Sequence, residues 1–360
     1  SVESEKQHGD NQFLLRMILT PHSSDRAFRT MKPTNLLIRT AALLTALMTW
    51  AGAMAQSDVQ FTQYWAVPTY YNPAYTGQVD FIRIRGGARL QWIGIENAPR
   101  SFMGAADMPV KLGKKSRLGV GVNVAQESLG LFQNLSVNAQ VSYKFRFLKG
   151  VWSVGLQPAY YNSKFLGSEV YIPEGDDFHS PADEAIPTQD VAGNAFDISA
   201  GISYSHRYFN VGMSCLHILS PTVELTKETA QETENAQYET TLPRQFYFTA
   251  DGNIPIKNSL FSLQPSMLVR TDFSRFSAEV TMRATFNKFL SFGLGYRYKD
   301  AVSAMISAEF KNFFLGYSYD YSTSAINRAS SGSHEIVAGY MIKLNFGEKN
   351  KNKHRSIRIM

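Results

Sequence analysis

Cysteine is nearly missing from this chain: Cys215 stands alone among 360 residues. No intramolecular disulfide can form, and a cysteine so far from the leading segment excludes a lipid anchor there. Stability must come from backbone pairing and packing. Long apolar runs are missing as well. After the leading segment nothing reaches the roughly 20 apolar residues that a membrane helix needs. The downstream histidines, His179, His206, His217, His334 and His354, include no pair at ligand spacing, and no metal is expected. Gly293-Leu294-Gly295 is strand alternation and no phosphate cradle, because no helix follows it. A membrane hydrolase would need a serine, a histidine and an orienting group at its rim. Only His217, at a strand end before a polar loop, is a candidate. The reading is that the chain has no catalytic residue and no cofactor.

The leading segment has a recognisable order. Met31-Lys32-Pro33 and Arg39 precede an apolar stretch from Ala41 to Met54, which closes on Ala53-Met54-Ala55 before Gln56. A basic start, a short apolar core and small residues at the exit make a secretory signal peptide. Residues 31–55 are therefore assigned to it, and residues 1–30 to an upstream extension outside the functional chain. The formal net charge is +6, and its excess is local. The tail 347–360 carries Lys349, Lys351, Lys353, Arg355 and Arg358 against Glu348 alone.

From Asp80 onward apolar and polar residues alternate with period two, which places alternate side chains on opposite faces of a strand. In Leu135–Phe145, Leu135, Val137, Ala139, Val141, Tyr143 and Phe145 share one face. Phe276–Phe286 repeats the pattern. Similar stretches lie near 82–92, 102–109, 117–126, 151–161, 195–205, 208–217, 244–253, 261–270, 289–298, 301–310, 312–321 and 334–346. About fourteen strands result, an even number as in bacterial barrels.

A soluble β-sandwich alternates too, and three features weigh against it. Many stretches run roughly 9–11 residues, the length of a tilted membrane strand. Their polar faces are mostly Ser, Gly, Thr, Asn and Gln, where a solvated face would carry more Lys and Glu. Aromatic residues such as Phe145, Trp152, Tyr160, Phe286, Tyr296 and Tyr319 gather at strand ends, as at membrane interfaces. The expected fold is all-β, an antiparallel outer-membrane β-barrel spanning 81–346. Parity supports it. The long connections 162–194, 219–243 and 322–333 all fall on one side, and short turns such as His206-Arg207 and Lys311-Asn312 on the other. The connections 162–194 and 219–243 are acidic. The short-turn side collects Lys111, Lys114, Lys115, Lys149, Arg207, Lys257, Lys288 and Lys311, which with the tail would form a basic periplasmic ring for an acidic surface.

Residues 56–80 form a separate aromatic segment. No charge falls between Asp58 and Asp80, yet Phe61, Tyr64, Trp65, Tyr70, Tyr71 and Tyr75 do. Pro68 and Pro73 forbid a regular helix or a central strand. The rings should pack into the lumen or over the periplasmic mouth, as a plug. Gln60-Phe61-Thr62-Gln63-Tyr64 and Tyr71-Asn72-Pro73-Ala74-Tyr75-Thr76-Gly77 also carry a resemblance. With Arg89-Leu90-Gln91-Trp92, Ala98-Pro99, Asp107-Met108-Pro109 and Gly332-Ser333-His334-Glu335-Ile336, they look like the PorP/SprF proteins of Bacteroidetes. The family's Asp after the third strand is missing from Gln126-Glu127-Ser128-Leu129-Gly130, although the Gly is kept.

The resemblance implies an outer-membrane component of the type IX secretion system. It implies a part in protein secretion, or in export of a surface adhesin used in gliding motility. It implies as partners the periplasmic ring and its peptidoglycan-linked neighbours, with outer-membrane lipid around the barrel. Nucleic acid is not an expected partner. The rival reading is a passive or selective porin, with Arg83, Arg85, Glu279 and Arg283 setting lumen selectivity.

Overall fold

The computed structural model describes residues 59–112, 116–170, 187, 189–227 and 238–344. The signal-peptide region, the basic tail and Lys114 and Lys115 lie outside the described residues. Strands follow in chain order as β1 (Phe81–Leu90), β2 (Arg100–Lys111), β3 (Arg117–Leu129), β4 (Phe132–Phe147), β5 (Gly150–Phe165) and β6 (Val191–Ser205). Next come β7 (Phe209–Leu216), β8 (Thr222–Lys227), β9 (Tyr238–Thr241), β10 (Gln245–Gly252), β11 (Ile254–Pro255) and β12 (Phe261–Thr271). The series ends with β13 (Phe276–Phe286), β14 (Leu290–Arg297), β15 (Ala301–Phe310), β16 (Phe313–Ser322) and β17 (Ser333–Lys343).

Fourteen of these close an antiparallel barrel. Each pairs with the next, β7 pairs with β10 across the β8–β9 hairpin, and β17 returns to β1 from Phe81↔Lys343 to Leu90↔His334. Closure leaves no strand edge in lipid, where each unpaired backbone group would cost several kcal/mol. The polarity is inverted relative to a soluble protein. On β4, Asn138, Gln140, Ser142 and Lys144 are buried toward the lumen, and Val137, Val141, Tyr143 and Phe145 are exposed outward. On β13, Glu279, Thr281, Arg283 and Thr285 face in and Val280, Met282 and Phe286 face out.

Tight turns follow from local chemistry. Leu148-Lys149 and Lys311-Asn312 hold positive φ at both central residues, the twist-matched geometry of two-residue hairpins. Both turns lie at the short-turn mouth, which faces the periplasm in a bacterial barrel. One interruption marks the wall. The β10–β12 ladder stops at Asp251↔Ser266 and resumes at Ile254↔Leu263. Between them Pro265 has no N–H to donate, while its pairing with Met282 on the other side continues.

The connection 219–243, read above as a plain loop, contains the β8–β9 hairpin. It pairs Thr222↔Thr241 through Leu225↔Tyr238 and attaches to β6 at Val191↔Lys227. Val223 and Leu225 bury themselves with Tyr161, Val191, Ala195 and Leu242. The hairpin is therefore held by its own apolar cluster at the long-loop mouth.

Candidate functional site

The lumen is occupied by the aromatic segment. Phe61 to Thr76 are almost all buried, with short helical turns at Tyr64–Ala66, Pro68–Tyr71 and Pro73–Tyr75. Pro68 and Pro73 each open a turn, a position where the missing N–H costs nothing. The rings pack edge to face on one another: Phe61 on Tyr70 at 5.7 Å, Tyr70 on Tyr71 at 5.1 Å, and Trp65 on Phe314 of the wall at 5.7 Å.

Two polar clamps hold this segment. The first lies near the long-loop mouth and centres on Thr62. Its hydroxyl donates to Asp320 at 2.7 Å and accepts from Arg89 Nη1 at 2.7 Å and Arg297 Nη2 at 3.0 Å. One proton and both lone pairs are thereby used. Glu335 accepts the backbone N–H groups of Thr62 at 2.7 Å and Gln63 at 2.8 Å. Arg89 ties the acids together, reaching Asp320 at 2.7 Å and Glu335 at 3.1 Å. Arg297 pairs with Glu279 at 3.0 Å and Asp300 at 3.1 Å. Gln60 completes the clamp, donating to Glu279 at 3.2 Å and accepting from Arg270 at 3.1 Å. Buried charges survive here because each has an opposite charge and hydrogen bonds.

The second clamp lies toward the short-turn mouth. Asn72 donates to two strand carbonyls, Ile202 at 3.1 Å and Met213 at 3.2 Å, while its oxygen accepts from Ala74 N–H at 2.9 Å. Gly201 and Gly212 make this approach possible. A side chain at Gly201 would collide with the Asn72 amide, and one at Gly212 with the Tyr75 hydroxyl. Tyr75 bonds Thr249 at 2.9 Å, and Lys144 donates to the Ala74 carbonyl at 2.9 Å. Gly77 N–H meets Asp107 at 2.7 Å, whose other oxygen pairs with Arg83 at 2.8 Å. Asp80 then joins Arg117 as β1 begins.

Burial fixes the ionisation of the segment's phenols. The Tyr64, Tyr71 and Tyr75 hydroxyls are all pushed well above the usual tyrosine range, chiefly by loss of solvent. Tyr71 accepts the Phe61 N–H at 2.8 Å, which limits its own shift.

The residues singled out in the sequence separate into three places. Gln60, Phe61, Gln63 and Tyr64 sit at the first clamp, and Asn72, Pro73 and Ala74 at the second. Gln91 and Trp92 lie at the long-loop rim, where Gln91 N–H meets the Pro99 carbonyl and Trp92 N–H the Ser333 hydroxyl. Of the four suggested selectivity residues, Arg83 and Glu279 are engaged in ion pairs. Arg85 and Arg283 stack on Phe314 and Trp65. Thr62 and Arg89 stand in the motifs quoted above without a role of their own, and Arg297 and Asp320 stand in none; the four form the heart of the first clamp. His217 pairs with Asp197 at 2.7 Å inside the barrel, away from the lipid-facing rim. Among the described residues no group of three His, Cys, Asp or Glu could hold a metal ion.

Comparison with known proteins adds identity. No curated protein matches the chain. Among solved structures, the chain is similar to the translocator domain of autotransporter NalP from Neisseria meningitidis. The two are 10% identical over 86% of this chain and 96% of that one, with a TM-score of 0.40. It is similar to the Pseudomonas putida toluene transporter TodX at 10% identity, over 80% and 95%, with a TM-score of 0.44. A Pseudomonas aeruginosa FadL homologue gives 9% identity over 76% and 93%, with a TM-score of 0.43. These are likenesses of fold alone. Residues 53–340 match the family described as type IX secretion system membrane protein PorP/SprF. That match spans most of the chain and includes both clamps: this outer-membrane barrel belongs to the PorP/SprF family.

Proposed function

We propose that the barrel is a sealed structural and docking component of the type IX secretion system, and that no substrate crosses its lumen. One observation carries the reading: a segment of the chain itself fills the lumen and is clamped at both ends by buried hydrogen bonds. A polypeptide conduit would have to break both clamps at every passage. With the lumen filled, the exposed mouths and the outer wall are the surfaces left for partners.

The short-turn mouth favours docking in the periplasm. Lys111, Lys149, Arg207, Lys257, Lys288 and Lys311 are all exposed there. They would steer an acidic partner surface toward the barrel. Lys114, Lys115 and the tail cations Lys349, Lys351, Lys353, Arg355 and Arg358 would extend the same field. The partners this suits are the periplasmic ring and peptidoglycan-linked proteins of the secretion machine, in service of general secretion or of one exported adhesin.

Affinity isolation from gently solubilised membranes tests the docking, comparing the intact protein with a chain truncated after Phe346. Co-purifying periplasmic components that are lost on truncation support the role. A barrel that comes down alone in both samples overturns it. Steady conductance of the intact barrel in a planar bilayer would instead favour a porin.

A further inference from the structure

We infer that the outer wall holds one anionic phospholipid of the periplasmic leaflet, with an acyl chain in a groove across β10 and β12 and its phosphate at Arg207 and Lys257. The groove has a volume of about 630 Å³ and crosses β7, β10, β12, β13 and β14 on the outward face. Register places its members side by side. Phe209 opposes Gly252, Ala250 opposes Met267, Met267 opposes Val280, and Val280 opposes Tyr296.

The indentation has a local cause. It lies where the β10–β12 ladder is interrupted, between Asp251↔Ser266 and Ile254↔Leu263. Ala250, Gly252 and Pro265 are half-buried there and reach little beyond the backbone. A Cβ on Gly252 would meet the Pro265 ring at 3.3 Å. Around them Phe209, Met282 and Leu294 stand out, with exposures of 42%, 50% and 68%. Within a membrane, packing contacts rather than a hydrophobic force bring apolar groups together. A hollow left unfilled forfeits those contacts, so an acyl chain, the apolar species around the wall, packs into it.

Charge selects the headgroup. Phe209 lines the groove two residues after Arg207, so the groove starts beside the β6–β7 turn. β7 pairs with β10, whose chain runs on through β11 to the turn that carries Lys257. The two turns are therefore neighbours on the periplasmic rim, tied by the Asn253 N–H donating to the Tyr208 carbonyl at 2.9 Å. Both cations are exposed, and among the described residues neither meets a carboxylate. The Arg207 guanidinium lies 5.4 Å over the Tyr208 ring, which stations it at the membrane interface. Two cations at the interface beside an apolar groove match a phosphate that carries acyl chains. A partner's apolar helix would fill the groove and bring no anion to them.

The test titrates the full-length folded barrel in mild detergent with phosphatidylglycerol or phosphatidylcholine and counts bound lipid by native mass spectrometry. One phosphatidylglycerol should be retained roughly tenfold more tightly than phosphatidylcholine. A250W fills the hollow and should weaken that retention roughly tenfold. V141W, on the exposed face of β4, should leave it unchanged. The double variant R207Q/K257Q should keep a lipid in the groove and lose the preference between headgroups. If A250W does not fold, V211W fills the same groove and should act alike. Equal retention of the two lipids by wild type, or retention by A250W or V211W equal to that of wild type, would overturn the inference. So would a co-purifying protein on this wall with no lipid retained.

Discussion

Arg89 of the first strand and Glu335 of the last are direct partners across the line where the barrel closes. Arg89 Nη1 donates to Glu335 Oε2 at 3.1 Å. Both also hold Thr62, so one buried ion pair joins the two ends of the wall to the segment inside it. Removing the arginine leaves Glu335 and Asp320 buried with too little positive charge. R89A should destabilise the barrel by roughly 3–5 kcal/mol. The shift between folded and heat-unfolded gel mobility, followed against temperature, measures this. A midpoint like that of wild type would show that the clamp is energetically idle.

The close approach of Asn72 to Gly201 should control the seal. G201A places a methyl group against the Asn72 amide and should push the second clamp out of position while leaving the wall paired. N72A removes the same contacts from the other side. Each variant should retain the mobility of a folded barrel and gain a measurable bilayer conductance. Folded variants as silent as wild type would mean that the first clamp alone closes the lumen.

Alkaline pH should destabilise the folded barrel through its buried lumen phenols. Tyr64, Tyr71 and Tyr75 have hydroxyls raised by burial above their ordinary value of 10.0. Their contribution to stability is complete below about pH 10, where unfolded tyrosines are still neutral. It declines as pH climbs from there toward the folded values, because the unfolded chain ionises first. Ultraviolet titration should find these phenols silent until the barrel unfolds. Full phenolate absorbance from the folded protein near pH 11 would contradict the packing (about one unit above the ordinary value).

The β8–β9 hairpin should be separable from the barrel. V223D places a charge in the small cluster with Tyr161, Val191 and Leu242. The expected outcome is a barrel with normal heat-modifiable mobility and a hairpin newly open to protease. Loss of the folded barrel itself would show that the hairpin stabilises the whole wall.

Much of the architecture was legible because a membrane strand declares its period and its length. All fourteen expected strands appear, and Phe276–Phe286 and Ala301–Phe310 agree with their expected limits to the residue. Several others extend further toward the long-loop mouth, as β5 does to Phe165, because polar loop residues continue the ladder without changing the pattern. The hairpin within 219–243 was hidden by its glutamates, which mask a four-residue apolar contribution. The clamps were less legible for a different reason. Arg83 meets Asp107, and Glu279 meets Arg297, only because register places them opposite one another. Thr62 and Glu335 are 273 residues apart. Local sequence shows that both lie in distinctive stretches, and nothing local shows that they touch.

The direction of the lumen segment has a consequence for how the protein is made. Gln60 and Thr62 lie beside the long-loop ends of β13, β16 and β17, whereas Asp80 lies at the opposite mouth where β1 starts. The segment that precedes the wall in the chain must therefore be in place when the final strand arrives, since Glu335 needs Thr62 and Arg89 together. Insertion into the membrane then has a built-in order: a barrel that zips shut around an empty bore leaves its last ion pair incomplete, and assembly can still reverse.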